Sequence, residues 1–353
     1  MTNAPTPPAP MAGTAMRAAL VALVDDHRDL TEAEAAACME EIMGDGATAA
    51  QFGALMVALR LKGETVDEIT GMAKVMRAHA LRVEVPSRPL LDTCGTGGDG
   101  LRTFNASTAA AFAVAAAGGK VAKHGNRAAT SQSGSADVLE ALGADITLTP
   151  QQVVNCIERT GVGFMFAQAF HPAMKFAAPL RRELGLRTVF NILGPLTNPA
   201  DANCQVLGVP NAAIGEKLAH VLARLGMRHA LVVSGDEGLD EISVSGPTTA
   251  FEVRGETVTQ RRITPDELGL ATYPLAEVAG GTPQENAVTM RKIFTGDGAP
   301  AVRDFVAANA GAGLYVLGLA STIRQGVEQA RTVMDSGDAA ARLGAFVEAS
   351  RRG

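Results

Sequence analysis

The sequence carries two glycine- and hydroxyl-rich loops that could bind phosphate. The first, residues 95–100 (GTGGDG), directly follows the strand-like run 89–94 and precedes the polar segment 103–108 (TFNAST) at the entrance of an alanine-rich helix. Glycines let backbone amides approach an anion closely, while hydroxyls and the helix N-terminus add donors and a positive dipole. This arrangement predicts a loop that cradles a phosphate group.

The same loop also satisfies the dinucleotide pattern G-x-G-x-x-G at Gly95, Gly97 and Gly100. That pattern alone is weak evidence, because glycine-rich turns are common. A dinucleotide site also requires an acid about 20 residues further on to bind the ribose hydroxyls. No Asp or Glu occurs between Asp99 and Asp137, so the sequence favours a phosphate cradle over a dinucleotide site.

The second loop, residues 123–135 (KHGNRAATSQSGS), again follows a short predicted strand and precedes a helix. It combines the cations of Lys123 and Arg127 with the amide of Asn126 and four hydroxyls. Such a loop can neutralise and hydrogen-bond a second phosphate. His124 taken singly is more typical of a structural histidine, and with no nearby Asp and no G-x-S-x-G motif, a Ser/His/Asp hydrolase has no support.

A third group of interest is the acidic segment 234–241 (SGDEGLDE), which follows the apolar strand 229–233. Carboxylates near phosphates, here Asp240 and Glu241, are how proteins hold Mg²⁺, usually with several waters retained. By itself the segment is better interpreted as an acidic surface loop. Its position after a strand, in a chain with two predicted phosphate loops, favours a metal site.

These loops must be positioned by two kinds of structure. Residues 17–82 predict a small all-helical unit, with apolar residues at helical spacing and glycines at the helix ends. Three capping boxes, in which a Thr hydroxyl and a Glu or Gln side chain satisfy amides at a helix start, support it. They are Thr31 with Glu34, Thr48 with Gln51, and Thr65 with Glu68.

From residue 89 onward, short apolar runs alternate with helical stretches, which predicts parallel strands joined by crossover helices. The fold class is therefore α/β, with a small all-helical domain and a larger domain around a mainly parallel central sheet. We expect a flexible proline-rich tail over 1–16 and the small domain over 17–85, completed by a hinge segment over 172–200. The large domain takes 86–171 and 201–353.

Composition excludes several classes of partner. The formal net charge is −6, from 31 Lys+Arg against 37 Asp+Glu, with no Trp and two Tyr. Bulk binding to nucleic acid or to an anionic membrane surface is therefore not expected. Locally the balance inverts, because residues 100–136 hold Arg102, Lys120, Lys123 and Arg127 and no acid. A small polyanion remains a suitable ligand.

The four cysteines are widely separated and form no C-x-x-C pair, so neither a zinc site nor a disulfide framework is predicted. A reducing cytoplasm is the expected location. The first sixteen residues, with four prolines and no charge, predict neither a signal peptide nor a membrane span.

Four long segments together resemble the anthranilate phosphoribosyltransferase family, over roughly residue 17 to the C-terminus. They are GTGGDG with TFNAST, KHGNRAATSQSGSADVLEALG, HPAMKFAAPLRRELGLRTVFNILGPLTNP and GLDEIS. The resemblance implies a nucleoside-phosphorylase-like fold with phosphoribosyl pyrophosphate and Mg²⁺ in a cleft between the two domains. It implies transfer of the 5-phosphoribosyl group to the amine of anthranilate in tryptophan biosynthesis. A homodimer formed through the helical domains is also implied.

The resemblance assigns roles to individual positions. Catalysis would involve Lys123, Asn126 and Arg181. Anthranilate would contact Gly95, Asn126, Arg181 and His124, with residues 171–173 lining its path. The metal would be bound by Ser107, Asp240 and Glu241. Phosphoribosyl pyrophosphate would be bound by Gly95, Gly98, Asp99, Thr103, Asn105, Ala106, Ser107, Thr108, Lys123, His124, Gly125, Asn126, Arg127, Ala128, Ala129, Thr130, Ser131 and Ser135. Two departures from the family pattern are Ala106, where isoleucine is common, and Ala129-Thr130, where Val-Ser is more frequent.

Two alternatives remain at this level. A pyrimidine nucleoside phosphorylase shares the implied fold, but the complete KHGNR loop and the Asp240-Glu241 pair argue against it. A non-catalytic paralogue that binds nucleic acid should have lost these acids and gained surface basicity, and the sequence has neither feature.

The chemistry of the implied reaction needs no indispensable general base, because the aromatic amine of anthranilate is already neutral at pH 7. We expect catalysis by positioning and by electrostatic stabilisation of the departing pyrophosphate, with Lys123 and Mg²⁺ neutralising it.

Overall fold

The computed structural model describes residues 13–128 and 132–352. The chain divides into two compact units. One takes its described residues from Met1–His79 and Pro172–Leu193, and the other from Ala80–His171 and Gly194–Gly353. None of the helices in the described part of the chain combines the length and apolar character needed to cross a bilayer.

The unit boundaries fall before the residues 85 and 200 expected from the sequence. Residues 80–85 and 194–200 both belong to the larger unit. The backbone explains this, because Val83 N donates to Pro199 O at 3.0 Å and so joins the two segments to each other.

The helices are numbered in chain order over the described residues. They are α1 (Thr14–Leu20), which continues as a π-helical turn (Val21–Asp25), α2 (Glu32–Met43), α3 (Ala49–Lys62), α4 (Val66–Ala78), α5 (Ala106–Ala116), α6 (Ser135–Ala141), α7 (Pro150–Thr160), α8 (Ala167–Phe170), α9 (Met174–Leu184), α10 (Phe190–Leu193), α11 (Ala212–Arg224), α12 (Pro283–Ile293), α13 (Pro300–Leu317), α14 (Ile323–Asp335) and α15 (Asp338–Arg352). Short 3₁₀ turns occur at Gly194–Leu196 and Leu275–Val278.

The strands are β1 (Leu91–Gly95), β2 (Val121–Gly125), β3 (Val162–Phe166), β4 (Cys204–Gly208), β5 (His229–Gly235), β6 (Thr248–Arg254) and β7 (Thr257–Ile263).

The smaller unit is entirely helical in its described residues, and its three predicted capping boxes are all formed, at the starts of α2, α3 and α4. At α3, Gln51 N donates to Thr48 Oγ1 at 3.2 Å and Thr48 N donates to Gln51 Oε1 at 3.0 Å. Each box satisfies two amides that a helix start otherwise leaves without partners. Apolar residues such as Met39, Leu55 and Leu59 are fully buried beneath these helices.

The larger unit is built on one seven-stranded sheet of order β3-β2-β1-β4-β5-β6-β7. The first five strands in this order pair in parallel, and β6 and β7 extend the sheet as an antiparallel hairpin. The predicted fold class, a helical unit with a mainly parallel α/β unit, is confirmed. The parallel strands are almost wholly buried, as expected when helices cover both faces of a sheet.

The register aligns the carboxyl ends of the central strands. Gly95 at the end of β1 pairs with Gly208 at the end of β4, which in turn pairs with Val233 of β5. In open α/β sheets, ligands bind outside the carboxyl ends of the strands. The loops that leave β1, β2 and β5 therefore emerge at the edge where a site is expected.

A buried polar cluster lies at the opposite end of β5. His229 Nε2 and Glu252 Oε1 are 2.9 Å apart, and the same carboxylate oxygen accepts from the hydroxyl of Tyr315 at 2.9 Å and from Arg254 Nε at 2.8 Å. Glu252 is only 8% exposed. These contacts, led by the hydrogen bond from His229, lower the pKa of Glu252 to about 2. The cluster joins helix α13 to the sheet away from the predicted site.

We expect Glu252→Gln to lower the free energy of unfolding by about 1–3 kcal/mol at pH 7, because it replaces a buried carboxylate that accepts several hydrogen bonds. The pKa of Glu252 is lower in the folded chain than its ordinary 4.5. Its contribution is therefore complete above pH 4.5 and is lost as the pH falls towards 2. Denaturant unfolding at pH 7, 4 and 3 measures the difference in unfolding free energy between the variant and the wild type. This difference should become smaller as the pH falls.

The control is Glu256→Gln at an exposed position in the turn of the same hairpin, which should change stability by less than about 0.5 kcal/mol. A Glu252→Gln effect that stays constant over this pH range would contradict the assignment.

Candidate active site

The glycine loop connects β1 to α5 with its backbone in conformations that favour glycine. Gly97, Gly98 and Gly100 have φ of 68°, 82° and 74°. Among the described residues, no atom lies within 4 Å of the position that a Cβ would take at Gly97 or Gly100. The loop therefore exposes bare backbone at the carboxyl edge of the sheet, as a phosphate cradle requires.

The acidic segment between β5 and β6 packs directly on this edge. A Cβ at Gly208 would overlap the backbone carbonyl of Asp240, and one at Gly95 would overlap its carboxylate. Two strand ends are thus glycine because Asp240 occupies the space beside them. This close packing allows a hydrogen bond, in which Gly97 N donates to Asp240 Oδ2 at 2.8 Å.

Glu241 contacts the start of α5, which follows the glycine loop. Ser107 N, in the first turn of that helix, donates to Glu241 Oε1 at 3.0 Å. Helix N-terminal amides favour anions, which explains this pairing. The acidic segment and the glycine loop, which are more than 130 residues apart in sequence, are therefore in direct contact.

Lys123 places an ammonium group between these elements. It lies on β2 with only 3% of its surface exposed, and its Nζ donates to the backbone carbonyl of Thr93 and, at 3.4 Å, to Ser107 Oγ. Thr93 Oγ1 donates in turn to Ser107 O at 2.9 Å. An ammonium group held by two acceptors beside the glycine loop is positioned to meet an anionic ligand.

Asp92, on β1, supplies a buried countercharge to this lysine. It is 1% exposed, and its carboxylate accepts from His124 N at 3.2 Å and from Asn198 Nδ2 at 2.8 Å. Burial raises the pKa of Asp92 to about 6, against the opposing charge of Lys123. The sequence analysis missed this residue, although a lone acid inside an apolar strand was a visible signal.

The environment of the two acids opposes their ionisation. Burial, followed by the charges of Glu241 and Asp99, raises the pKa of Asp240 well above its usual value. Burial also raises the pKa of Glu241 to about 7, although Lys123 and the hydrogen bonds from Ser107 act in the opposite direction. Burial lowers the pKa of Lys123, and Asp92 and Glu241 oppose that shift. The site thus favours additional positive charge.

Magnesium fits this donor set. Mg²⁺ is usually bound through one or two carboxylates together with substrate phosphates and waters rather than by a complete protein cage. Asp240 and Glu241 supply two carboxylates in need of a cation, and Ser107 adds a hydroxyl. Within residues 13–128 and 132–352, no three His, Cys, Asp or Glu side chains converge as a ready-made metal site.

The two predicted phosphate loops are joined by a network of side-chain amides. Asn105 Nδ2 donates to Ser133 O at 2.9 Å, and Asn105 Oδ1 accepts from Ser133 Oγ at 3.1 Å and from Asn286 Nδ2 at 2.8 Å. Asn286, on α12, also accepts from Gly281 N at 2.8 Å. Sequence reasoning missed Asn286, because nothing near it in the sequence indicates that α12 reaches these loops.

The second loop is partly engaged with its own following helix. Arg127 forms ion pairs with Asp137 and Glu140, and Ala128 N donates to Asp137 Oδ2 at 2.8 Å. Ser135 Oγ donates to Asn126 O at 3.3 Å. Arg127 therefore stabilises the conformation of this loop in the structure.

Two buried histidines lie side by side in the same unit. The ring centroids of His124 and His171 are 5.0 Å apart, and burial lowers the pKa of the two rings to about 3 and about 4. Both rings are therefore neutral at pH 7. Each hydrogen-bonds a backbone carbonyl, of Gly194 and Thr197 respectively, while Nε2 has no partner among the described residues. A neutral imidazole that donates from Nδ1 leaves Nε2 as an acceptor.

Arg181 lies on α9 in the helical unit and is half-buried. Its guanidinium carbon is 5.1 Å from the ring centroid of Phe190. A guanidinium held over an aromatic ring keeps its edge available for a carboxylate.

The structure brings most of the predicted residues together in the α/β unit. The glycine loop, the α5 entrance with Asn105, Ser107 and the buried Ala106 and Thr108, the second loop and the acid pair all lie at the carboxyl edge. Gly125 belongs there too, since a Cβ on it would overlap Ser135 Oγ. Thr103 forms an isolated bridge with Ala279. Ala129, Thr130 and Ser131 lie outside the described residues, and Arg181 belongs to the other unit.

Comparison with known proteins agrees with this architecture. Residues 17–80 match the glycosyl transferase family, helical bundle domain, and residues 87–340 match the glycosyl transferase family, a/b domain. Fold and site thus define a two-domain glycosyl transferase.

Relatives identify the branch of that family. Proteins named anthranilate phosphoribosyltransferase from Symbiobacterium thermophilum and Roseiflexus sp. are 53% and 52% identical, over 91% and 96% of this chain and 94% and 99% of theirs. A crystal structure of this enzyme from Thermus thermophilus superposes with a TM-score of 0.90 at 44% identity, covering 96% of this chain and 99% of that one.

The Saccharomyces cerevisiae enzyme, solved in complex with PRPP and Mg, gives a TM-score of 0.88 at 26% identity over 97% of this chain and 99% of its own. The chain belongs to the anthranilate phosphoribosyltransferase family.

Gly208→Ala tests the close approach between β4 and the acidic segment. Because the added methyl would overlap the carbonyl of Asp240, the strand end or the segment must move. We expect a loss of about 1–3 kcal/mol in unfolding free energy, typical of overpacking, together with reduced transferase activity. Thermal unfolding and steady-state kinetics measure both effects.

The matched control is Gly344→Ala on α15, where no atom lies within 4 Å of the new Cβ. It should be neutral or stabilising by up to about 1 kcal/mol, because alanine favours a helix. Equal behaviour of the two variants would show that the approach at Gly208 is not constraining.

Proposed function

We propose that this chain transfers the 5-phosphoribosyl group from phosphoribosyl pyrophosphate to the amine of anthranilate, giving N-(5-phosphoribosyl)anthranilate and pyrophosphate in tryptophan biosynthesis. The observation that carries the proposal is the joining of a glycine loop, the buried Lys123 and the pair Asp240-Glu241 at one edge of the sheet. Family membership favours this reaction over nucleoside phosphorolysis and over a non-catalytic role in nucleic-acid binding.

Phosphoribosyl pyrophosphate is assigned to the two loops that leave β1 and β2. Amides of the glycine loop and hydroxyls at the α5 entrance donate to its phosphates, and Lys123 adds a fixed positive charge. The departing pyrophosphate gains negative charge in the transition state, so a preorganised ammonium stabilises that state more than the ground state. The rigid hold of Thr93 and Ser107 on Lys123 supports this role.

The metal role is assigned to Asp240 and Glu241, with Ser107 beside them. Magnesium bound there would neutralise the pyrophosphate and hold its oxygens in place. The chain's own contribution is to keep both carboxylates at the edge of the glycine loop, where Gly97 N and Ser107 N orient them. The complex of the yeast relative with PRPP and Mg supports this choice of metal.

Anthranilate is assigned to Arg181, Asn126, Gly95 and His124. Arg181 offers a planar donor pair that matches the carboxylate of anthranilate. The imidazole of His124 is neutral at pH 7, and its buried Nε2 has no partner among the described residues, which supports a place near an uncharged amine rather than a phosphate. With the amine neutral, the chain need only orient it towards the anomeric carbon, and no side chain must first remove a proton.

Asp240→Asn combined with Glu241→Gln tests the metal role. Removing both carboxylates should reduce kcat/KM about a thousandfold or more, because several kcal/mol of charge stabilisation are lost and each 1.36 kcal/mol corresponds to a factor of ten. The loss of anthranilate fluorescence during turnover at varied Mg²⁺ measures it.

The control for this variant makes the same change in charge at the exposed Glu256 and Asp266, as Glu256→Gln with Asp266→Asn. It should leave the magnesium dependence unaltered. If the Asp240-Glu241 variant retained the magnesium dependence of the wild type, these acids would not be the metal ligands.

Arg181→Ala tests the anthranilate assignment. Loss of a charge-assisted hydrogen bond worth about 1.5–3 kcal/mol should raise the KM for anthranilate about 10- to 100-fold, while the KM for phosphoribosyl pyrophosphate changes little. Arg182→Ala, the neighbouring exposed arginine on the same helix, is the control and should affect neither constant. An equal increase in both KM values for Arg181→Ala would refute the assignment.

We further infer a cytoplasmic enzyme that works as a homodimer through its helical units. The dispersed, buried and unpaired thiols of its four cysteines suit a reducing compartment. Size-exclusion chromatography with light scattering tests the oligomeric state.

A further inference from the structure

The segment that carries Asp240 and Glu241 has irregular backbone and needs partners for its polar groups. After β5 the chain turns back on itself, with Gly235 N donating to Leu239 O at 2.9 Å and Asp236 N to Pro247 O at 3.0 Å. Ile242, the residue directly after the acids, is fully buried and belongs to no strand or helix. Its backbone N–H and C=O therefore lack the partners that regular structure supplies.

Asn309, in the middle of helix α13, supplies both partners. Its Oδ1 accepts from Ile242 N at 2.9 Å, and its Nδ2 donates to Ile242 O at 3.1 Å and to Phe305 O at 2.9 Å. Asn309 is 1% exposed. Asparagine is a weak residue for a helix interior, and a buried amide is costly unless it is hydrogen-bonded. At this position, however, the amide pairs with both backbone groups of one residue.

Two kinds of contact at Ile242 differ in what they define. Burial of the Ile242 side chain is non-directional and fixes only its approximate depth. The paired hydrogen bonds from Asn309 fix the orientation of the peptide groups that flank Ile242. Since one of these peptide groups joins Ile242 to Glu241, that orientation constrains the direction in which the side chains of Glu241 and Asp240 leave the backbone.

We propose that Asn309 is a positioning residue for metal binding, which acts by fixing the backbone from which Asp240 and Glu241 extend. It touches neither substrate nor metal in this proposal. The inference rests on the proposed function of the two acids. Residues that orient metal ligands typically change metal affinity about 10- to 100-fold when they are replaced.

The test compares Asn309→Leu with a matched change at Asn203. Leucine keeps the branching and the number of side-chain heavy atoms of asparagine and removes all of its hydrogen bonds. Asn203 lies in the same unit but before β4, at the amino end of a strand whose carboxyl end faces the acids, and its Oδ1 accepts from Leu90 N at 2.9 Å. Asn203→Leu therefore also removes a hydrogen bond between a side-chain amide and the backbone, at a site about 16 Å away along the strand.

Metal binding is read directly with Mn²⁺ as a probe, by the loss of its free-ion electron paramagnetic resonance signal, with and without phosphoribosyl pyrophosphate. Asn309→Leu should weaken Mn²⁺ binding about tenfold or more and raise the Mg²⁺ concentration for half-maximal activity by a similar factor. The KM for anthranilate should stay within about twofold. Asn203→Leu should lower the melting temperature and leave Mn²⁺ binding unchanged.

The outcomes separate the inference from the function on which it rests. Unchanged Mn²⁺ binding in Asn309→Leu, with a lowered melting temperature alone, shows a merely structural role and overturns the inference. Retained Mn²⁺ binding in Asp240→Asn with Glu241→Gln overturns the proposed metal role and the inference together. If Asn309→Leu does not fold, Asn309→Ser, which is smaller and still polar, is measured in the same way and decides the question.

Discussion

The burial of one lysine among acids is the interaction on which the site depends. Burial lowers the pKa of Lys123, the charges of Asp92 and Glu241 oppose that shift, and Thr93 and Ser107 accept its hydrogen bonds. Charges removed from water are costly unless they are paired. The site therefore forms only when strands β1 and β2 and the segment after β5 come together around this side chain. Strands β1 and β2 are brought side by side by their parallel pairing in the sheet.

The glycine loop and the acid pair could be recognised in the sequence as parts of a candidate site because their chemistry is largely local. Glycines, hydroxyls and a helix start are contiguous in residues 95–108, and the capping boxes of the helical unit need only three residues' spacing. The pair Asp240-Glu241 was a weaker signal in the sequence, because its assignment to the site depends on Gly95 and Gly208 lying beside Asp240. That neighbourhood is set by strand order, which residue spacing alone does not encode.

The residues that were missed act across long sequence separations. Asp92 pairs with Asn198, and Asn286 joins Asn105, more than 100 residues away in each case. Such contacts become visible only once β1, β2 and helix α12 are placed. Arg127 shows the same limit. The loop sequence around it predicts a residue that binds phosphate, whereas its side chain forms ion pairs with Asp137 and Glu140 of the following helix.

The pairing of Gly97 N with Asp240, and of Ser107 N with Glu241, also bears on the proposed capture of phosphate at this edge. While both carboxylates keep these amides, a phosphate bound in the glycine loop would lie beside negative charge that only a cation between the two groups can offset. In the proposed function, the pairing would therefore discriminate against uncomplexed polyanions and couple the capture of phosphate to the arrival of its counterion.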